Sequence, residues 1–420
     1  MKSIAKFYTL FWIIYYPVCI AFSALADFDW SDEILTVALL LFAFNKQKYL
    51  VRDHKRNKEI VYYIVIMAFY TLYSFIINVT TTRGIILDLL QQLRPYAIFY
   101  LTWLMAPQFS LKQKRLIKFV MLGTFAVAVV AYFVNPEFLD PFLAASKSGG
   151  TISGESAPLG QIALGCGMTY YLFSKQSRKN RIIAILIMLV GLLSGKSKYI
   201  GECIAFIALV SFVNEKIKFN SIKTVGQVAI LAAVILFFTW SKFNAYYVDG
   251  MMNRAEELAR PASYTTAVQM IFHDYVPFGS GFGTFSTAAA AKEYSPIYYK
   301  YGLDKLWGLT PDNPMFLADA FYPSLAEFGI VGIFFFIVFW RRRIKETNRV
   351  VDVVHYRMAF MCILALALES TADTSYLSGK GMGYFMILAI CLNSDIIASR
   401  QQPQPLPPEE ETEEQELSNP

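Results

Sequence analysis

The feature that most constrains this chain is the recurrence of long apolar segments along its 420 residues, of which 55% are hydrophobic. A helix needs roughly 20 largely apolar residues to cross a bilayer, and most of these segments approach that length. The sequence therefore predicts an all-α polytopic membrane protein with about 12 transmembrane helices. The predicted spans are 5–25, 31–45, 60–79, 86–106, 116–134, 158–174, 181–194, 199–213, 224–240, 319–340, 355–372 and 381–398.

Three of these segments allow a second interpretation. The first has lysines before it and a small-residue pattern at Ala24 and Ala26, which is typical of a cleaved signal peptide. We expect a retained helix instead, because the stretch is long and rich in Tyr and Trp. The segments 31–45 and 181–194 are short, so either could be a re-entrant half-helix.

Clusters of Lys and Arg in the short connections predict the orientation of the spans. With 12 spans, all of these clusters fall on the same side as both termini, which the positive-inside bias makes cytoplasmic. They lie at 46–58, 112–118, 175–181, 216–223 and 341–349. The connections on the outer side are then 26–31, 135–157, 241–318 and 373–380. The net charge of +6 is thus an orientation signal, and it does not indicate nucleic-acid binding.

A long polar interruption at 241–318 divides the chain. About nine predicted spans precede it within residues 1–240, and about three follow within residues 319–398. Because the interruption is the largest segment outside the predicted spans, we expect it to hold the functional site. Residues 399–420 are rich in Pro and Glu, which predicts a disordered cytoplasmic tail.

Within the interruption, composition predicts short helices at 251–259 and 262–275. The stretch PFGSGFGTF, residues 277–285, lacks a preceding strand and a following GK[ST], so it is not a phosphate-binding loop. Its glycines more simply permit a tight backbone path. Closely spaced tyrosines, Tyr298 among them, either stack on sugar rings or form an aromatic belt at the membrane interface. His273 is either a base or an ordinary loop residue.

Several cations fall on the outer side, where the orientation rule predicts few. Arg94 lies in the fourth span just before Pro95, which interrupts the helical hydrogen-bond ladder. It either faces a watery cavity or snorkels from an interfacial helix that ends at Pro95. Lys196 and Lys198, in the turn LLSGKSKYIGE, could hold an anion or contact lipid headgroups. Glu202, one helical turn after Lys198, could also neutralise it.

The sequence contains no pattern for a bound metal or cofactor. All five cysteines lie within apolar segments and none has the spacing of metal ligands, so we expect small core residues. No nucleotide-binding motif is present either. The cysteines are Cys19, Cys166, Cys203, Cys362 and Cys391.

A set of short motifs occurs in a familiar order along residues 190–335. They are an S-x-[KR]-type turn opening a span, R-x-x-x-[aromatic]-x-x-A in the loop, the glycine-rich turn, and E-x-G-I-x-G in the next helix. In this chain they are Ser197-Lys198, Arg260 to Tyr264 and Ala267, Pro277 to Phe285, and Glu327 to Gly332. Their order and spacing resemble the superfamily of O-antigen polymerases (Wzy-type) and O-antigen ligases of bacterial inner membranes.

This resemblance implies a GT-C-like helical fold and glycosyl transfer at the periplasmic face, without a cofactor. The implied partners are an oligosaccharide on undecaprenyl pyrophosphate, inner-membrane lipids and, in the cell, a chain-length regulator and a flippase. Ligases of the superfamily carry a functional His where this chain has Asp319, so the resemblance favours the polymerase over the ligase. Lys198 stands where the superfamily usually has Arg, which keeps the charge but loses bidentate geometry.

A lipid pyrophosphate donor needs cations around its phosphates, and the acceptor hydroxyl needs a base. The predicted catalytic residues are Asp319, Glu327 and His273, with Asp274 as a further candidate. The predicted substrate-binding residues are Arg94, Lys196, Lys198, Arg254, Arg260, Tyr264 and Tyr298. Glu327 could instead pair within the helix bundle, and Asp319 could cap the tenth span. A transporter is the hypothesis from another class, although the sequence has no evident internal repeat.

Overall fold

A computed structural model describes the chain in six ranges, and in these ranges the chain is all-helical. The described residues are 2–22, 31–51, 53–134, 158–213, 222–253 and 257–394. Within them there is no strand, and the only bridge of β type joins Thr310 to Asn313. The all-α part of the predicted fold is therefore confirmed.

We number the described α-helices in chain order. The helices before the long loop are α1 Lys2–Leu10, α2 Tyr16–Phe22, α3 Ser31–Asn45, α4 His54–Ile77, α5 Thr82–Met105, α6 Leu111–Val134, α7 Pro158–Leu172, α8 Arg178–Gly191, α9 Ser197–Phe212 and α10 Ile222–Phe243. The short helices of the loop are α11 Asp249–Asn253, α12 Ala259–Gln269, α13 Ala288–Glu293 and α14 Pro296–Lys300. The last three helices are α15 Gly329–Thr347, α16 Val353–Glu369 and α17 Gly379–Leu392.

Helix α15 differs most from its predicted range, because it begins at Gly329 and not at 319. The preceding residues Tyr322–Glu327 form a 3₁₀-helix, and Gly329 itself has a left-handed φ of 58° that separates the two elements. Phe328, not Asp319, occupies the N-cap of α15. The interpretation of Asp319 as a cap of this helix is therefore wrong.

Helix α5 runs without interruption through Pro95, which is buried. The interpretation of an interfacial helix that ends at Pro95 is therefore wrong as well. Proline removes one backbone donor from a helix, and such a loss is tolerated where neighbouring helices pack closely around the break. Here α5 packs against α3, α4 and α17.

Two helices of the described chain, α4 and α6, are long and apolar enough to cross a membrane, judged by length and composition only. Both also turn large apolar side chains outward, such as Ile76, which is 80% exposed, and Phe119, which is 73% exposed. The interior of the bundle is packed with aromatic and aliphatic side chains that include the fully buried Trp12 and Phe99. A second, smaller core lies within the loop.

The glycine-rich turn, residues 277–285, fastens this loop to the bundle. Gly279, Gly281 and Gly283 have φ values of 84°, 85° and 70°, which only glycine adopts without strain. A Cβ at Gly279 would lie 2.4 Å from the carbonyl oxygen of Glu327, and one at Gly283 would lie 2.5 Å from that of Gly84. The expected tight backbone path is therefore present, and close approach to the helix ends requires it.

Two buried carboxylates accept hydrogen bonds from the backbone amides of this turn. Oε1 of Glu327 accepts the N–H groups of Thr284 at 2.7 Å and Phe285 at 2.8 Å. Oδ2 of Asp88 on α5 accepts the N–H of Gly283 at 2.9 Å. Consecutive amides of this kind form a concave anion-binding surface, and here the chain fills it with its own carboxylates.

We predict that Gly279→Ala lowers the apparent melting temperature of the detergent-purified protein far more than Gly302→Ala. Gly302 also has a positive φ, 67°, but an added Cβ there meets no atom within 4 Å. The Gly302→Ala variant therefore measures only the cost of placing alanine at a positive φ, about 1 kcal/mol. The additional overlap at Gly279 must displace the backbone of Glu327. Equal melting temperatures for the two variants would contradict this packing.

Candidate functional site

An ion pair between Arg260 and Asp319 links the start of α12 to the segment that leads into α15. Nε of Arg260 donates to Oδ2 of Asp319 at 2.7 Å, and Nη2 lies 2.6 Å from the same oxygen. The guanidinium also lies 4.9 Å from the ring centroid of Tyr246. About one-fifth of each paired side chain is exposed, 19% and 21%, so the pair is accessible from one side.

The ionisation of Asp319 is finely balanced by its surroundings. Burial raises the pKa of Asp319 and the neighbouring Arg260 lowers it, and the net direction is upward. Asp373 raises the same pKa and Lys198 lowers it by smaller amounts. The carboxyl therefore has a pKa above its usual value, which is the direction that favours a general base.

Lys198, near the start of α9, lies between two carboxylates from the end of α16 and the turn after it. Its Nζ donates to Oε2 of Glu369, and it lies 2.8 Å from Oδ2 of Asp373. Gln161 on α7 donates to the same oxygen of Asp373 at 3.2 Å, and Ser375 donates to Oδ1 at 2.9 Å. Four segments of the bundle therefore meet at one partly buried polar cluster.

The predicted pairing of Lys198 with Glu202 within α9 is not formed, because Lys198 turns to the other two carboxylates. Glu202 is 1% exposed, and neither of its oxygens has a hydrogen-bond partner among the described residues. Lys196 lies beside this cluster at the N-cap of α9. Burial lowers the pKa of Lys196, and Lys198 lowers it further.

Two tyrosines connect the loop to this cluster. The hydroxyl of Tyr264 on α12 donates to the carbonyl of Thr371 at 2.9 Å, and that of Tyr247 donates to the same oxygen at 2.5 Å. Their rings meet edge to face with centroids 5.5 Å apart. Because Thr371 lies between Glu369 and Asp373, these contacts hold α12 and its Arg260 next to the Lys198 cluster.

The structure thus brings half of the predicted site residues into one region: Lys196, Lys198, Arg260, Tyr264 and Asp319. It also adds Glu369 and Asp373, which sequence reasoning missed. Glu369 ends an apolar segment and Asp373 lies in a short connection, so neither belongs to a motif. The available signal was that Asp373 lies in the connection 373–380, and Glu369 at the adjoining end of a span, on the same predicted side as Lys196 and Lys198.

Other predicted site residues lie elsewhere. Glu327 binds the glycine-rich turn, and Tyr298 is 1% exposed in the core of the loop, where its hydroxyl accepts the N–H of Ser286 at 2.9 Å. His273 is exposed at the end of a π-helical turn. Arg94 forms an ion pair at 3.1 Å with Glu33 of α3. Arg254 lies outside the described residues.

Chemically, the cluster offers cations beside carboxylates at the end of the bundle where the loop lies. Arg260, Lys196 and Lys198 can bind phosphate oxygens, and Asp319 can accept a proton. Among the described residues, no group of three or more His, Cys, Asp and Glu side chains is arranged to hold a metal ion. The chemistry available from these side chains is anion binding combined with proton transfer.

No protein-family model matches the chain, and a sequence comparison with curated proteins also finds no match.

We predict that Lys198→Met destabilises the folded protein by about 3 kcal/mol, because it leaves the buried carboxylate of Glu369 and the partly buried carboxylate of Asp373 without their cation. Thermal unfolding in detergent measures this loss of stability, and Lys305→Met, at an exposed position, is the control. A melting temperature equal to that of the control would show that the cluster does not depend on Lys198.

Proposed function

We propose that this protein is a glycosyltransferase of the bacterial inner membrane that joins lipid-linked oligosaccharide repeat units into a polysaccharide. The donor would be an oligosaccharide on undecaprenyl pyrophosphate, and the reaction would take place at the periplasmic face. The single observation that supports this most is the Arg260–Asp319 pair beside the Lys198 cluster. It combines groups for binding a pyrophosphate with a carboxylate of raised pKa.

The membrane location is supported by the outward-facing side chains of the bundle. Large apolar side chains are exposed along α4, α6, α10 and α15, and a soluble protein rarely exposes apolar patches of that extent. Examples are Leu72, Val127, Phe237 and Phe334. Each of the 12 predicted spans coincides with a described helix in at least part of its range. We therefore propose 12 spans, with both termini on the cytoplasmic side.

In the proposed reaction, the acceptor hydroxyl attacks the anomeric carbon of the donor sugar. The new glycosidic C–O bond forms as the C–O bond to the pyrophosphate breaks. Asp319 takes the hydroxyl proton, and the pyrophosphate departs with the electron pair of the broken bond. Arg260 and Lys196 would stabilise the negative charge that develops on this leaving group.

The Arg260–Asp319 pair couples these two roles. As long as Arg260 donates two contacts to Asp319, the carboxylate is a weaker base, because the guanidinium stabilises its charge. An incoming pyrophosphate competes for Arg260, since a guanidinium binds phosphate oxygens with the same fork geometry. Donor binding would thus release Asp319 when the acceptor needs a base. This role for Asp319 would match its position, which is where the ligases of the superfamily have a functional His.

We predict that Asp319→Asn lowers polymer formation about a hundredfold or more while leaving the protein level unchanged. Asn can keep a hydrogen bond to Arg260 but cannot accept the hydroxyl proton. Arg260→Ala should abolish the polymer, and Arg260→Lys should retain part of it, because a point charge replaces the bidentate fork.

The measurement is an electrophoretic ladder of surface polysaccharide in a deletion strain that carries each variant. A single repeat unit on the lipid core indicates loss of the polymerase. Free polymer with an unmodified core would indicate a ligase, and an unchanged ladder in the deletion strain would point to a transporter of another solute. A normal ladder with Asp319→Asn would exclude Asp319 as the base.

The proposed orientation predicts that Asp312→Cys reacts with a membrane-impermeant thiol reagent in intact cells with a permeabilised outer membrane. Asp312 is exposed in the loop, whereas all five native cysteines are buried. The matched control is Lys112→Cys, which is exposed at the start of α6 on the predicted cytoplasmic side and should react only after lysis. The reverse pattern would invert the proposed orientation.

A further inference from the structure

At the opposite end of the bundle from the Arg260–Asp319 pair, the ends of two distant helices are joined by a buried guanidinium. Arg343, near the end of α15, is fully buried and pairs with Glu59 in the first turns of α4. It also lies 3.3 Å from Glu346 and 4.8 Å from the ring centroid of Trp103. The buried arginine therefore pairs with acidic side chains that would otherwise contribute negative charge to the surface.

Arg56 has a similar role one turn before Glu59. It is 5% exposed, donates to the carbonyl of Trp103 at 2.7 Å and lies 3.7 Å from Asp53. The acids at this end are thus directed toward buried arginines, while many cations of the same segments remain outside. We name these exposed cations the cationic rim: Lys48, Lys55, Lys58, Arg341, Arg342, Lys345 and Arg349.

The members of the rim are far apart in sequence, but the segments that carry them meet at this end of the bundle. Arg342 lies 3.9 Å from Glu59, so the end of α15 meets the start of α4. The 3₁₀-turn that contains Lys48 is held nearby, because the N–H of Val51 donates to the carbonyl of Leu104 at 2.8 Å. Acids at this surface include Asp53 and Asp352, and Asp352 is engaged with His355. The rim therefore carries a clear excess of positive charge.

The C-terminal chain leaves the described structure at this rim. Asn393, after α17, is fully buried, where it accepts from Nη1 of Arg56 at 2.8 Å and donates to the carbonyl of Trp103 at 3.0 Å. The described chain ends one residue later, at Ser394. The remaining sequence contains six glutamates in a short stretch: Glu409, Glu410, Glu411, Glu413, Glu414 and Glu416.

We propose that this acidic stretch, Glu409–Glu416, docks on the cationic rim of the same chain. The sequence between Ser394 and Glu409 spans about 45 Å when extended, so it reaches every part of a rim that begins beside Asn393. Single exposed ion pairs stabilise little, but tethering raises the local concentration of the acidic stretch to about the millimolar range. The tail thus covers a surface that would otherwise attract anionic lipid headgroups.

This proposal does not rest on the proposed enzymatic function. The contacts of Asn393 with Arg56 and Trp103 place the rim and the tail at the same end of the molecule whatever reaction it catalyses. The competing occupant of the rim is an anionic headgroup of the adjacent membrane leaflet. The test below separates the two occupants.

The test measures binding of a fluorescent peptide, residues 401–420, to the purified full-length protein by anisotropy at low ionic strength. In a tail-neutral variant, the six glutamates of the acidic stretch are changed to Gln, which leaves the rim uncovered. We expect this variant to bind the peptide at least about tenfold more tightly than the wild type, whose own tail competes. A peptide with the same six Glu→Gln changes should not bind, and high salt should abolish binding.

Matched substitutions locate the docking surface on the tail-neutral protein. Removing four rim charges (Lys55→Gln, Lys58→Gln, Arg341→Gln and Lys345→Gln) should abolish peptide binding. Removing four exposed cations outside the rim (Lys112→Gln, Arg115→Gln, Lys175→Gln and Lys179→Gln) should preserve it. Equal effects of the two sets, or equal peptide binding by wild type and tail-neutral protein, would overturn the proposal. Loss of binding in nanodiscs of phosphatidylglycerol but not of phosphatidylcholine would also overturn it, because headgroups would then occupy the rim.

Discussion

Two buried carboxylates position the loop that carries Arg260, because they accept hydrogen bonds from backbone amides of the glycine-rich turn. Three consecutive N–H groups, from Gly283 to Phe285, donate to Asp88 and Glu327 within 2.9 Å. A buried amide without an acceptor costs free energy comparable to a lost hydrogen bond, so these carboxylates are needed wherever the turn is buried. The hydroxyl of Tyr70 adds a contact of 2.7 Å to the carbonyl of Phe328. The ends of α4 and α5, the loop and the start of α15 are thereby fixed relative to each other.

The fixed arrangement of the glycine-rich turn and the start of α15 also positions the candidate site. Residues 319–328 are held between the glycine-rich turn and α15, so Asp319 has a defined position opposite α12. The tyrosine contacts with Thr371 fix α12 from the other side, and Lys198 fixes Asp373 and Glu369. The candidate site is thus assembled from segments that are far apart in the sequence, and each is attached to the bundle by hydrogen bonds of its own. In the proposed reaction, a base and its anion-binding partners would need this degree of prior organisation to act together.

The two ends of the bundle use buried charge differently. At the loop end, cations and carboxylates lie in a partly exposed cluster, which suits exchange of a partner for an incoming anion. At the other end, Arg343 is fully enclosed by aromatic rings and Glu59, so it fastens helices and is not available for exchange. The same residue type therefore forms a partly exposed ion pair at one end and packs the helices together at the other. Burial distinguishes the two roles, since an enclosed charge must keep its partner.

The sequence by itself determined the helical class of this protein, and it singled out several of the residues that meet in the candidate site. Apolar segments of the right length predict helices, because the chain must satisfy its backbone locally within such segments. The order of short motifs singled out Lys198, Arg260 and Tyr264, and the resemblance to the ligases singled out Asp319. The glycines at 277–285 predicted a tight backbone path. These properties depend on a residue and its near neighbours, so the sequence alone can express them.

Only the tertiary structure decided which charges meet. Helical spacing allowed Lys198 to pair with Glu202, whereas the folded chain pairs it with Glu369 and Asp373 from α16 and the turn after it. Motif position made Glu327 a candidate base, whereas its carboxylate accepts hydrogen bonds from the amides of a turn about forty residues earlier. Arg343 looked like one member of an exposed cluster, yet it is buried against α4. Pairing of charges depends on distance in space, and a sequence without its packing does not contain that distance.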